Sequence, residues 1–118
     1  MSNDSLSALT KLVLDFRAAR DWKQFHTPKE LAISLVVESA ELLEIFQWKQ
    51  GGELDEAIAK RKGEIADELG DCLHSILLLA HDLKIEVGEA LVGKMKKMEQ
   101  KYPVAKAKGK PKKYNELD

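Results

Sequence analysis

Between Ser34 and Lys49, in the stretch SLVVESAELLEIFQWK, glutamate recurs at every third position as Glu38, Glu41 and Glu44. A second stretch, EIADELGDCLHSILLLAH, carries Glu64, Asp67, Glu68 and Asp71. On a helix, Glu38 and Glu41 stand about 60° apart and Glu44 about 60° further on, and the second set spans about 100°. Carboxylates crowded together lose hydration and repel one another, so either they keep their protons or a cation compensates them. Several oxygen donors with room for water suit Mg²⁺, which keeps part of its coordination for substrate phosphates. The competing reading is a solvated acidic face paired with basic neighbours. The residues alone leave both open, although Glu64 and Asp67, beside Lys60, Arg61 and Lys62, fit the solvated reading best.

The surroundings of the first set are apolar. Leu31 and Leu42 fall near Glu38 on one side, Ile45 on the other, and Val37 lies near Glu41. Ala32, Val36, Ala40 and Leu43 occupy the remaining flank. A helix apolar nearly all round is expected to be buried. In the second stretch Ile65, Leu69, Cys72, Leu73 and Ile76 oppose the acids, and Leu78 and Leu79 return to the acidic side. If the two acidic faces meet, four carboxylates converge. A carboxylate-bridged di-iron bundle would need Glu-x-x-His pairs on two helices. Only Asp71-x-x-His74 approximates one, so His74 and His81 read as ordinary helix positions.

Aromatic residues lie beside this region. Trp22 and Phe25 precede the second helix, His26 adjoins its cap, and Trp48 follows Glu41 by seven residues on nearly the same side. Two tryptophans near a metal site can stack on a nucleobase; they can equally close the end of a bundle.

These residues need helices to position them. The chain has 118 residues, 44% apolar and 33% charged, with a formal net charge of -1. That composition fits one globular domain and argues against a nucleic-acid binder, which would be clearly basic. No apolar run approaches the ~20 residues that span a bilayer. Cys72 is the single cysteine, and with no leader pattern in MSNDSLSALTK the expected compartment is a reducing cytoplasm. Strand-like alternation is absent. The apolar stripe of Leu6, Leu9, Leu12, Val13 and Phe16 predicts a first helix over about 4–20. Thr27, Pro28 and Glu30 predict the start of a second, with a capping box, running to about Gln50 before Gly51-Gly52. A third is expected over about 53–83 with a break near Lys62-Gly63, and a fourth over about 86–101, stopped by Pro103. The fold class is all-α with a four-helix bundle core. Residues 1–104 form the expected domain and 105–118 a basic, mobile tail with no periodic apolar face.

With Glu38-Ser-Ala-Glu41 and Glu68-Leu-Gly-Asp71 in place, flanked by RDWKQFHTP, ESAELLEIFQWK and KMKKMEQKYPV in that order, the chain resembles the all-α nucleoside triphosphate pyrophosphohydrolases, specifically the small MazG-like proteins and dCTP pyrophosphatases. The resemblance covers about Leu12 to Leu117. It implies Mg²⁺, with Mn²⁺ as a substitute, held by Glu38, Glu41, Glu68 and Asp71. It implies Glu41 or Glu44 as the acid that orients water, and a base and sugar pocket of Trp22, His26 and Trp48, beside Phe25. Lys94 and Tyr102 would reach phosphate or sugar. The implied reaction converts a (deoxy)nucleoside triphosphate to monophosphate and pyrophosphate, as house-cleaning of the dNTP pool. A nucleotide-binding regulatory module with little turnover is the alternative. The resemblance also implies a homodimer or a dimer of dimers. Where the dCTP-directed members carry tyrosine, asparagine and histidine, this chain has Ser75, Met98 and Val13. Methionine offers apolar contact where an amide would read hydrogen bonds, so a related or modified dNTP fits the pattern as well as dCTP.

Overall fold

The computed structural model describes residues 5–117. Among them every regular element is helical. Two compact units divide the chain, the first ending at Lys84 and the second beginning at Ile85.

In the first unit, α1 spans Leu6–Ala19, α2 Pro28–Phe46, α3 Gly51–Lys60 and α4 Lys62–Asp82. The Ser5 hydroxyl accepts from the Ala8 amide and caps α1. Thr27 does the same for α2, accepting from the Glu30 amide at 3.1 Å, with Pro28 at the first helical position. α2 packs chiefly on α4, and α1 packs on α4 as well. Leu31 and Ile45 of α2, Leu77 and Leu78 of α4 and Ala57 of α3 form the buried apolar core.

One ion pair is buried with them. Arg17 donates to both carboxylate oxygens of Asp82, at 2.8 and 2.7 Å, with side-chain exposures of 4% and 9%. Asp82 holds the Arg17 pKa above its ordinary value, and Arg17 holds that of Asp82 below. Two parallel charge-assisted bonds clamp the end of α1 to the end of α4.

In the second unit, α5 spans Val87–Lys101 and α6 Val104–Ala107, followed by a 3₁₀ turn over Tyr114–Glu116. Tyr102 and Tyr114 meet edge to face at 6.3 Å, with the Lys101 ammonium 4.7 Å from the Tyr114 ring.

The break expected near Lys62-Gly63 falls at Arg61: α3 ends at Lys60 and α4 begins at Lys62, with Arg61 between them at φ -112° and ψ 25°. Two expectations need correction. The second expected helix stops at Phe46, not near Gln50. Gln47 leaves the helix at ψ 137°, and Trp48 takes the left-handed region at φ 68°. The helical spacing that aligned Trp48 with Glu41 therefore fails, since it assumed an unbroken helix. Trp48 is instead 90% exposed. Finally, α2 is not buried all round. One flank packs within the chain, while Ile33, Val36, Val37 and Leu43 stay exposed. The start of the first expected helix at Asp4 lies outside the described residues.

Candidate metal centre

The packing of α2 on α4 brings the two acidic faces together. Ser39 Oγ lies 3.8 Å from Cys72 Sγ at this contact. Around it Glu38 and Glu41 of α2 and Glu68 of α4 each offer a carboxylate oxygen, all within 4.8 Å of one another. Glu38 and Glu68 are half-buried and Glu41 is exposed. The i, i+3 spacing that aligned these acids on each helix thus becomes a shared cluster only because the helices cross face to face.

The electrostatics follow from the crowding. Burial pushes the Glu38 pKa up from 4.5 to about 7, and the negative charge of Asp71 and contacts with Glu41 push in the same direction. Burial also raises Glu68, helped by hydrogen bonding and charge from Glu41. Asp71, expected as the fourth ligand, is exposed and lies outside the trio, although its negative charge is among the causes that raise Glu38. Two oxygens, Glu38 Oε2 and Glu68 Oε2, are buried with no hydrogen-bond partner. Orphaned buried acceptors are costly. The donor set fits a hard divalent cation: its oxygen ligands stand up to about 4–5 Å apart across the ion, and its charge satisfies the orphaned atoms. This acidic cluster is the one group of three or more candidate metal-binding side chains among the described residues.

The remaining acids separate from it. Glu44 is exposed and stands outside the trio. Glu64 is exposed and bound by Arg61 at 2.6 and 3.0 Å, which lowers its pKa, and Asp67 is exposed. Both fit the solvated reading that their basic neighbours suggested.

The aromatic residues form a partial cluster. Trp22 meets Phe16 edge to face at 5.8 Å, and Arg20 lies 3.6 Å over the Phe16 ring. Phe25 is exposed on a 3₁₀ turn over Lys23–Phe25. His26 ends that turn, with Nδ1 buried and without a hydrogen-bond partner. Lys94, exposed, and Tyr102, half-buried, lie in the second unit.

Reading the sequence residue by residue passed over one feature. A cavity of about 470 Å³ is lined by Leu12, Val13 and Phe16 of α1 and by Asp71 and His74 of α4. Phe16 and His74 meet edge to face at 6.5 Å. Burial lowers the His74 pKa against the opposing pull of Asp71. The available signals were the Val13-x-x-Phe16 and Asp71-x-x-His74 spacings, but each also describes an ordinary helix face.

The chain is similar to known proteins. Residues 33–117 match the model of the MazG-like family. The chain is 36% identical over 115 residues to dCTP pyrophosphatase 1 of Rattus norvegicus, a match covering 96% of this chain and 68% of that protein. Its identity to dCTP pyrophosphatase 1 of Homo sapiens is 35% over the same length. The crystal structure of a pyrophosphatase from Archaeoglobus fulgidus superposes with a TM-score of 0.78 at 42% identity, covering 83% of this chain and 92% of that one.

Proposed function

The chain belongs to the MazG-like family, and on that premise we propose that it is a nucleoside triphosphate pyrophosphohydrolase. The reaction cleaves the bond between the α- and β-phosphates and releases a nucleoside monophosphate and pyrophosphate. One observation carries this reading: carboxylate oxygens of Glu38, Glu41 and Glu68 converge within 4.8 Å, two of those residues holding a buried, unpartnered oxygen. A solvated acidic face would spread its charges into water.

Glu38, Glu41, Glu68 and Asp71 are the residues that would hold Mg²⁺, or Mn²⁺ in its place. The bound cation supplies neutralisation of triphosphate charge and polarisation of the phosphoryl group. Glu41, the exposed member of the trio, and Glu44 are the two candidates to accept a hydrogen bond from the attacking water. Trp22, Phe25, His26 and Trp48 offer rings to base and sugar, and Lys94 and Tyr102 offer contacts to phosphate or sugar. The relatives named dCTP pyrophosphatase 1 support a deoxynucleotide substrate, dCTP or a related or modified dNTP, in a cytoplasmic house-cleaning role. A homodimer or homotetramer is part of the same reading. It is supported by the uncovered apolar side chains of α2, among them Val36 at 68% exposure and Leu43 at 55%.

Incubation with each dNTP and Mg²⁺ tests the reaction. Pyrophosphate is the expected product, whereas orthophosphate, or tight binding without turnover, would overturn the reading. Glu41→Gln should lower kcat by about 10²-fold or more with the helical circular dichroism retained.

A further inference from the structure

The cavity between α1 and α4 presents three apolar walls and two polar ones, Asp71 and His74. Its volume of about 470 Å³ falls within the about 300–1,000 Å³ of small-molecule sites. Asp71 also acts on Glu38 in the carboxylate cluster, so cavity and cluster share a wall. A ligand held at the cluster would therefore have the cavity beside it.

His74 is the next side chain such a ligand meets along α4. It follows Asp71 by three residues, a rise of about 4.5 Å on the same helix face. Its ring and that of Phe16 meet edge to face, with centroids 6.5 Å apart and planes at 89°. No hydrogen bond among the described residues engages the His74 nitrogens, and neither is sealed away from solvent. An imidazole offers a donor and an acceptor. A free one in a mostly apolar wall is the kind of polar group that orients a ligand.

In a nucleoside triphosphate the pentose is bonded directly to the α-phosphate through C5′, and the base lies beyond it. With the phosphates at the carboxylates, the pentose therefore meets the wall one turn from Asp71. A deoxynucleotide carries one free pentose hydroxyl, at C3′. We propose that His74 is a specificity-determining residue that hydrogen-bonds the 3′-hydroxyl of the substrate deoxyribose. The assignment rests on the pyrophosphohydrolase reading for the position of the phosphates.

The test compares each dNTP with its 2′,3′-dideoxy counterpart in the full chain and in His74→Leu. A site that hydrogen-bonds a hydroxyl discriminates against the analogue lacking it, and in a cavity of this kind wild type should favour the dNTP by about 10- to 100-fold in kcat/KM. In His74→Leu that ratio should fall to about 1–2, and His74→Gln, which keeps a hydrogen-bonding group, should restore part of it. A merely structural role would lower both substrates together and leave the ratio intact. That result, or a wild type indifferent to the hydroxyl, overturns the proposal. Should His74→Leu fail to fold by circular dichroism, His74→Phe keeps the ring contact with Phe16 and removes the nitrogens. If wild type releases no pyrophosphate from any dNTP, the enzymatic reading fails. Calorimetric titration with the same nucleotide pairs then decides the role of His74 alone: a binding preference lost in the variant supports it, and an unchanged one overturns it.

Discussion

Glu38 concentrates the chemistry of the cluster at a single residue. Its pKa of about 7 means that the folded chain holds this proton more tightly than the unfolded chain, whose carboxyl titrates near its ordinary value. Below about pH 4.5 both states are protonated, and the group contributes nothing to the pH dependence. As pH rises through the folded pKa, the folded state takes on an unfavourable charge and loses stability. Without divalent metal, the melting temperature should therefore be lower near pH 8 than near pH 6. Millimolar Mg²⁺ should remove most of that difference, because ligand binding to the folded state stabilises it by mass action. Glu38→Gln should shrink the pH difference without metal, leaving the part that Glu68, also raised by burial, contributes. A wild-type melting temperature that ignores both pH and metal over this range would show that the acids do not converge.

Among the elements, the clamp between α1 and α4 carries its own expectation. The Arg17–Asp82 pair is almost sealed from water, so removing one partner leaves a charge in the core. Asp82→Ala should cost about 3–5 kcal/mol in urea unfolding, whereas replacing both partners, Arg17→Met with Asp82→Leu, should recover most of that loss. The same clamp joins the two helices that wall the cavity, since Phe16 immediately precedes Arg17 and His74 lies on the helix that Asp82 ends. Stability and substrate discrimination should fall together in Asp82→Ala. The connection after α2 is a different case. Leu43, Glu44 and Ile45 prolong the helical pattern up to Phe46, and nothing in Gln47-Trp48-Lys49 forbids its continuation by composition. The left-handed backbone at Trp48 is uncommon for a bulky residue, and no local signal announced it.

For the whole molecule, the apolar side chains that α2 leaves exposed are the main unmet demand. Ile33, Val36, Val37 and Leu43 sit outside the core while Leu31 and Ile45 fill it. Burying such a face against a second copy removes apolar area from water at about 25 cal/mol per Å². Light scattering should therefore give a mass of two or four chains at micromolar concentration, and Val36→Lys should shift it toward one. A wild type that stays monomeric over that range would contradict the homo-oligomer. Among the described residues no helix is long and apolar enough to cross a membrane.

What the amino-acid order determined by itself was the helical class, the cap at Thr27 and the grouping of acids along each helix. These depend on interactions within three or four residues, which the spacing of side chains encodes directly. It also placed Glu64 and Asp67 apart from the other acids, through the basic residues beside them. Tertiary structure alone decided that α2 and α4 meet on their acidic faces, that α2 keeps an uncovered flank, and that Val13, Phe16, Asp71 and His74 enclose one cavity. Those outcomes depend on how two helices cross and on which of several apolar faces wins the contact. Residues far apart in the chain settle that competition together, so no short stretch contains the answer.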